Sequence, residues 1–259
     1  MCGVTHGRIP TGSLFDPLAD AYAAARPGYP EHVLTDIERI LGRPLAGADV
    51  VDVGAGTGIA TRLLRDRGAR VVAVEPGTAM LARLLERTPD LPALRGDGEA
   101  LPFRDSVADL ITYAQAWHWV DVPVAAAQAA RVLRPGGALA VWWNDVDAPD
   151  ARWWQRQQER LERMSPGYRR DYRRRPFADE LRWTGHFDEV VTLTGRWARR
   201  IGIDDYLIWQ RSRSYVAAIG DRLDDFLDAE RRTVLRAFPD GIVVEPFRTL
   251  LVIARTPLD

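Results

Sequence analysis

The chain has 259 residues, a net charge of −1 and a 46% share of hydrophobic residues, which allows one large domain or a core with an insertion. The balanced charge gives no electrostatic footprint for nucleic acid or for an anionic membrane surface. All 35 basic residues are arginines, so no lysine can serve as a base or as a Schiff-base nucleophile.

The numbers and positions of cysteine, histidine and apolar residues exclude further kinds of site. Cys2 is the single cysteine, which excludes internal disulfides and a thiolate metal cluster and fits a reducing compartment. The four histidines have no ligand spacing, so we expect no metal site. The first residues have no apolar signal core and no stretch of 18 apolar residues follows, so we expect a cytoplasmic protein.

Two helices are predicted near the N-terminus. Residues 1–13 lack periodicity, and from Leu14 apolar side chains recur at helical spacing. This helix should stop at Arg26-Pro27, because proline removes a backbone donor and biases the preceding residue away from helix. The second helix is predicted over residues 33–41, with Gly42 as its stop.

The chain is organised around residues 50–58, VVDVGAGTG. The valine-rich run predicts a strand buried on both faces, and helical spacing follows the glycines. Glycines let the backbone turn tightly and approach a ligand, and the helix N-terminus adds partial positive charge. An isolated glycine turn is a weak signal, and the G-x-G-x-G spacing differs from the G-x-G-x-x-G of dinucleotide binders.

The next segments repeat a strand–helix pattern. A strand at residues 69–74 ends on Glu75, about 20 positions after the glycine turn. An acid placed there suits ribose hydroxyls, although an exposed acid at a helix start has the same position. A helix over residues 78–87, the stretch GDGEALPF at 96–103 and a strand at 107–113 follow. The glycine turn, Glu75, Asp97 and the segment from Gln115 all fall at strand carboxyl ends, where ligands bind in parallel sheets.

The C-terminal half combines arginine-rich and aromatic patterns. A helix at 124–133 leads into a strand at 138–143, and residues 152–175 hold nine arginines. Within this stretch the spacing of Trp153, Trp154, Gln157, Leu161 and Met164 predicts an amphipathic helix. Further predicted elements are a helix at 177–183, a strand at 187–193, helices over 203–217 and 223–238, and an antiparallel hairpin at 241–254.

Several motifs together resemble a class I S-adenosylmethionine-dependent methyltransferase: VDVGAGTG, VVAVEPG, GDGEALPF and AARVLRPGGALAVWW. FDPLADAYAAARPGYP and AQAWHWVD are similar to the trans-aconitate-methyltransferase-like, small-molecule branch (methyltransferase type 11). The resemblance covers residues 15–145 and implies a doubly wound, seven-stranded, mostly parallel α/β sheet with an α-helical cap. It divides the chain into a cofactor-covering helix (1–30), a cofactor-binding core (31–144), a cap with the sixth strand (145–225), and a C-terminal helix with the last strands (226–259).

The resemblance also implies a site for S-adenosylmethionine and a small-molecule acceptor. The candidate cofactor-binding residues are Tyr22, Arg26, Asp52, Gly54, Ala55, Gly56, Glu75, Pro76, Asp97, Gly98, Glu99 and Gln115. Arg26 is the candidate partner of the methionine carboxylate, or else a solvated arginine at a helix end. His118 is the candidate base, because its ordinary pKa suits that task, although the Trp-His-Trp element is also explained by packing.

The acceptor and the oligomeric state stay open at this stage. Oxygen of a carboxylate or hydroxyl is the first choice of acceptor atom, with nitrogen or carbon as alternatives. Six tryptophans beside the cap (Trp142, Trp143, Trp153, Trp154, Trp183, Trp209) predict an apolar acceptor pocket or core packing. The cap arginines predict an acidic acceptor or a solvated helix face. Two rival functions are a nicotinamide-dependent oxidoreductase and a non-methylating S-adenosylmethionine-binding protein.

Overall fold

The computed structural model describes residues 26–170 and 175–258, and these form a seven-stranded sheet of order β3-β2-β1-β4-β5-β7-β6. Among the described strands, β7 pairs antiparallel with both β5 and β6, and the other pairings are parallel. The predicted doubly wound, mostly parallel α/β fold is confirmed. The strands are β1 (Asp49–Val53), β2 (Arg70–Glu75), β3 (Ala93–Arg95), β4 (Ala108–Ala114), β5 (Leu133–Val146), β6 (Glu189–Gly202) and β7 (Ile242–Arg255).

Helices cover both faces of the sheet. The helices are α1 (His32–Leu41), α2 (Ile59–Asp66), α3 (Thr78–Arg87), α4 (Val122–Val132), α5 (Arg152–Met164), α6 (Phe177–Trp183), α7 (Ile203–Arg211), α8 (Ser214–Ala217) and α9 (Leu223–Ala237). One apolar cluster joins α1, α2 and α3 to one face, and a second joins α4 and α6 to the other. No helix within the described ranges is long and apolar enough to cross a membrane.

The order of the strands places a crevice where the site is expected. The chain adds β2 and β3 on one side of β1 and then crosses back to place β4 on the other side, so the strand order reverses between β1 and β4. In open parallel sheets, ligands bind beyond the carboxyl ends of the strands at such a reversal. The glycine turn after β1 and the loop after β4 therefore face each other across it.

The last two strands are longer than the sequence indicates, and they carry the cap. β7 pairs with β6 along all of its length, but with β5 only over residues 247–255. The rest of β6 and β7 therefore extends beyond β5 as a two-stranded ribbon. The helices α5, α7 and α9 pack on this ribbon and on each other, with Trp153, Tyr206 and Phe247 among the buried side chains.

Several predictions for this half of the chain are wrong in detail. The predicted hairpin at 241–254 is the single strand β7. Helix α6 packs on α4 and the sheet, not in the cap, because Phe177 and Leu181 join the apolar cluster of that face. Helix α9 packs on α5 and α7, so it belongs to the cap.

Candidate functional site

A cavity of about 270 Å³ opens at the carboxyl ends of the strands, between the sheet and the cap. Its wall joins residues from the N-terminal segment, from the strand ends, and from α7, α8 and the loop between them. Most of the predicted site residues lie in this wall: Arg26, Gly54, Gly56, Glu75, Pro76, Asp97, Gly98, Glu99, Gln115 and His118. Tyr22 lies outside the described residues.

The glycine turn and Glu75 form one hydrogen-bonded unit. Gly54 has a φ of +67°, and a Cβ on it would lie 2.6 Å from the Cβ of Ala116, so this position tolerates only glycine. The Glu75 carboxylate accepts from the Gly56 and Gly77 N–H groups, each at 2.8 Å. The side chain is 7% exposed. Glu75 thus lies on the floor of the cavity with its charge held by backbone donors.

A second acidic turn follows β3. Asp97 accepts from the Glu99 N–H at 2.9 Å, and Glu99 accepts from the Asp121 N–H at 2.9 Å. The Tyr113 hydroxyl donates to the Gly98 carbonyl at 3.3 Å, and burial raises the pKa of Tyr113 well above its ordinary value. These bonds fix the backbone of residues 97–99 beside β4, and they leave both carboxylates in the cavity wall.

Two predicted cofactor ligands do not belong to the wall. Asp52 is fully buried, and its carboxylate accepts from the Thr61 hydroxyl at 2.6 Å and the Thr112 hydroxyl at 2.8 Å. Alternate residues of a strand face opposite sides, so Val53 reaches the cavity while Asp52 faces α2. Burial raises the pKa of Asp52 to about 6, although both hydroxyls act to lower it. The Ala55 methyl packs on the apolar cluster of the same face.

Asn144 is a member of the wall that the sequence patterns did not reveal. It is 5% exposed, and its Nδ2 donates to the Gly28 carbonyl at 3.0 Å. Its Oδ1 accepts from the Thr249 hydroxyl at 2.8 Å, and its main-chain carbonyl accepts from the Gln115 side chain at 3.1 Å. Asn144 therefore joins the N-terminal segment, β7 and the loop after β4. In the sequence, its position directly after the apolar run of β5 is the feature that could have indicated a wall residue.

His118 lies in a short 3₁₀ helix, Trp117–Trp119, after β4. The Trp143 indole N–H donates to His118 Nδ1 at 3.2 Å, and Trp143 stacks on Phe177 with ring centroids 4.0 Å apart. A neutral imidazole that accepts at Nδ1 carries its proton on Nε2. In this arrangement His118 offers Nε2–H as a donor, which argues against its use as a general base.

The cap contributes a different set of groups from those predicted. None of the described arginines between 152 and 170, nor Arg175, lines the cavity, and Arg160 and Arg170 instead pair with Glu230 and Glu162. The cavity wall includes Arg213, Ser214 and Tyr215. The arginines at 173 and 174 lie outside the described residues.

The tryptophans predicted for the acceptor pocket are mostly core residues. Trp142 and Trp143 are 1% and 2% exposed within the sheet, and Trp153 lies in the apolar cluster of the cap. Trp183 is 78% exposed. Only Trp209 of the six lines the cavity, where Trp119 joins it.

Comparison with known proteins finds sequence similarity in the core of the chain. Residues 51–141 match a family profile described as a methyltransferase domain. An uncharacterized methyltransferase of Mycobacterium tuberculosis is 44% identical over 133 residues, which are 51% of this chain and 53% of that protein. The chain thus spans about half the length of this curated relative.

Solved structures show a similar fold over most of the chain. A structure from Anaeromyxobacter dehalogenans, described as a candidate type II methyltransferase, matches with a TM-score of 0.67 at 25% identity, covering 90% of this chain and 98% of that one. A phosphoethanolamine N-methyltransferase from Haemonchus contortus, solved with S-adenosyl-L-methionine, matches in fold with a TM-score of 0.53 at 18% identity, covering 98% of this chain and 58% of that one. The motifs, the sheet order and these comparisons thus make the core of the chain, residues 51–141, similar to the methyltransferase domain of that profile.

Proposed function

We propose that the protein transfers a methyl group from S-adenosylmethionine to a small-molecule acceptor. The main support is that the glycine turn after β1 faces the Glu75 carboxylate, while the Asp97 carboxylate lies farther along the same cavity wall. Ribose hydroxyls and an adenine amino group are donors, and two fixed carboxylates are suitable acceptors for them.

Each part of the cofactor has a suitable group in the cavity wall. Glu75 would hold the ribose hydroxyls, and Asp97 with the adjoining backbone would hold the adenine. Arg26 would bind the methionine carboxylate, since a guanidinium matches a carboxylate in shape and charge. The hydrogen bond between Asn144 and Gly28 keeps the segment that carries Arg26 at the mouth of the cavity. The sequence resemblance makes Tyr22 a further candidate residue of the N-terminal segment that would cover the cofactor.

S-adenosylmethionine supplies a methyl group already activated by a sulfonium, so the protein has to align the acceptor and exclude water. We propose an oxygen acceptor, from a carboxylate or a hydroxyl. A carboxylate oxygen would form the new O–CH₃ bond as the C–S bond breaks and its electron pair passes to sulfur. This needs no base, in keeping with the donor role inferred for His118. The trans-aconitate-like branch remains the sequence-based choice among acceptor classes.

A nicotinamide-dependent oxidoreductase and a non-methylating cofactor-binding protein are the rivals to exclude. Calorimetric titration with S-adenosylmethionine, S-adenosylhomocysteine and NAD⁺ distinguishes a methyltransferase from a nicotinamide-dependent oxidoreductase. We expect saturable binding of the two sulfur compounds and none of NAD⁺. An acceptor screen that measures S-adenosylhomocysteine release distinguishes a methyltransferase from a protein that binds the cofactor without transferring its methyl group. Tight binding of NAD⁺ alone, or no acceptor-dependent release with any compound class, would reject the proposed activity.

A further inference from the structure

Trp209 belongs to the part of the cavity wall that the cap supplies, and it contacts a charged residue that lies outside this wall. The indole is 5% exposed and lines the cavity. The guanidinium carbon of Arg199 lies 4.8 Å from the centroid of the indole ring. Arg199 itself is not one of the described residues that line the cavity. Any influence of Arg199 on a ligand in the cavity therefore passes through Trp209.

Arg199 and Trp209 lie on two elements that meet at a corner of the cap. Arg199 is in the part of β6 that pairs with β7 beyond the end of β5, and Gly202 leads directly from β6 into α7. Helix α7 then packs back on the ribbon of β6 and β7. The contact between Arg199 and Trp209 closes this corner, and it connects the cap side of the cavity to the ribbon.

Glu245 on β7 allows a guanidinium to be buried at this corner. It lies directly opposite Arg199 in the register of β6 and β7, and its carboxyl group accepts from Arg199 Nε at 2.7 Å. The side-chain exposure is 16% for Arg199 and 0% for Glu245. A cation over an indole ring is bound more strongly when both are shielded from water. The bond to Glu245 also fixes the plane of the guanidinium that lies over the ring.

The other contacts of Trp209 do not provide the same constraint. Arg213 also lies over the indole, with its guanidinium carbon 4.8 Å from the ring centroid, but it follows α7 in the chain and would move with that helix. Phe247 on β7 lies with its ring centroid 6.0 Å from that of Trp209, and such an apolar contact is weakly directional. Arg199 is therefore the directional contact that relates the indole to the ribbon.

We propose that Arg199 is a positioning residue, which holds the Trp209 indole in the cavity wall at the end where the acceptor binds. Glu245 in turn holds Arg199. This assignment rests on the proposed methyl transfer, because only that activity requires a second ligand beside the donor. The candidate donor ligands Glu75 and Asp97 follow β2 and β3 in the core, so a change of Arg199 should affect the acceptor and leave the donor bound.

Fluorine NMR of protein labelled with 5-fluorotryptophan follows Trp209 without the need for an acceptor. The chain has nine tryptophans, and the resonance that is missing from Trp209→Phe belongs to Trp209. In wild-type protein saturated with S-adenosylhomocysteine we expect one narrow resonance for this residue. In Arg199→Gln the resonance should broaden or split, and its shift between H₂O and D₂O should grow, because the indole gains conformations and contact with water.

Kinetics with the acceptor selected by the release screen gives the second readout. In Arg199→Gln we expect the acceptor KM to rise roughly tenfold, as the loss of a buried cation–π contact implies. The kcat and the affinity for S-adenosylhomocysteine should stay within about threefold, because neither depends on the position of the indole. Arg199→Lys should restore part of the loss, since an ammonium group keeps the charge but lacks the planar shape of guanidinium.

Arg196→Gln is the matched control. Arg196 lies three positions earlier on β6, so its side chain is on the opposite face of the strand, and it is 83% exposed and pairs with Asp147. It should behave as the wild type does in both measurements. If Arg199→Gln unfolds early in a thermal scan, the double variant Arg199→Met/Glu245→Gln decides the matter. Neutral replacement of a buried ion pair is often tolerated, and the Trp209 resonance should still broaden or split.

A narrow, wild-type-like Trp209 resonance in folded Arg199→Gln, or in the double variant, would overturn the assignment. So would an unchanged acceptor KM in these variants, or an equal change of resonance and KM in Arg196→Gln. If the wild type fails to bind S-adenosylhomocysteine, or releases none with any acceptor, the proposed function is rejected instead. The fluorine spectra then still show whether Arg199 holds Trp209 in place.

Discussion

Glu75 illustrates how one side chain holds the glycine turn and offers a ligand site at the same time. Its two oxygens accept from the Gly56 and Gly77 N–H groups. In Glu75→Gln the amide would place an N–H against one of these donors, and one acceptor for ribose would be lost. Since hydrogen bonds to charged groups contribute about 1.5–3 kcal/mol, we expect S-adenosylmethionine affinity, measured by calorimetry, to fall roughly ten- to hundred-fold.

The control for this variant is Glu86→Gln. Glu86 lies on α3, is largely exposed and pairs only with Arg83 among the contacts described. Exposed pairs of this kind contribute about 0–1 kcal/mol, so the control should bind the donor as the wild type does. Unchanged affinity in Glu75→Gln would mean that Glu75 only supports the turn.

His118 gives a prediction about pH. Because its Nδ1 accepts from Trp143, the neutral ring presents a donor, which glutamine can partly replace. We expect His118→Gln to keep the pH profile of kcat/KM and to lower kcat by less than about tenfold, since general-base catalysis contributes roughly 10²–10⁴-fold. The loss of a histidine-like ionisation from the profile, with a fall in kcat beyond a hundredfold, would instead assign His118 as the base.

Elements meet at Asn144, which connects β5 to the N-terminal segment. In Asn144→Asp the Oδ1 acceptor of Thr249 is retained, but the donor to the Gly28 carbonyl becomes an acceptor. We expect faster hydrogen exchange over residues 26–30 and a several-fold loss of S-adenosylmethionine affinity, since a lost hydrogen bond costs about 1 kcal/mol. Thr249→Val, which removes the hydrogen bond to Asn144 Oδ1 and keeps the one from Nδ2, should leave the exchange of residues 26–30 nearly unchanged. Equal exchange in wild type and Asn144→Asp would show that this bond does not hold the segment.

The sequence predicts the first half of the fold well because local patterns and tertiary structure agree there. The predicted helix over 78–87 is confirmed as α3, and the predicted stop at Gly42 is confirmed by its left-handed backbone. Strand ends also indicate which residues reach the cavity. Asp52 shows the limit of this reasoning: it lies inside the recognised motif, yet strand alternation turns it away from the wall.

The cap is harder to predict, because its arrangement depends on contacts between distant segments. The segment of β7 is predicted as a hairpin from a partial alternation of apolar residues, whereas pairing with β6 over its full length makes it one strand. The arginines from 152 to 175 are compatible with an acidic acceptor at α5 or with a solvated helix face, because a helical pattern does not tell which face meets a cavity. Arg213 follows α7 in an unremarkable segment, and only the packing of the cap brings it to the site.

The stability of the molecule should depend on pH, because it buries carboxyl groups whose pKa values are raised. Burial raises the pKa of Glu245 to about 7, although Arg199 and Arg213 act to lower it, while Glu230 raises it further. In the unfolded chain the group ionises near 4.5. Between these values the unfolded state has released its proton and the folded state retains it. The free energy of unfolding therefore falls as pH rises through this window, by up to about 3 kcal/mol.

Urea unfolding at several pH values tests this linkage. Glu245→Gln should show a flatter pH dependence over the same window, while Glu189→Gln, at a largely exposed position on β6, should follow the wild type. Asp52, whose pKa burial also raises, contributes with the same sign in all three proteins and so drops out of the comparison. A parallel slope in Glu245→Gln and wild type would mean that Glu245 is ionised in the folded protein.

A crystal structure of the protein with S-adenosylhomocysteine would show whether the cavity between sheet and cap is the site of the methyl donor. We predict the ribose hydroxyls within hydrogen-bond distance of Glu75, the adenine beside Asp97 and Gly98, the carboxylate at Arg26, and the sulfur facing the part of the cavity lined by Trp209 and Arg213. Ligand bound elsewhere on the molecule, or bound in this cavity with its ribose away from Glu75, would contradict the assignment.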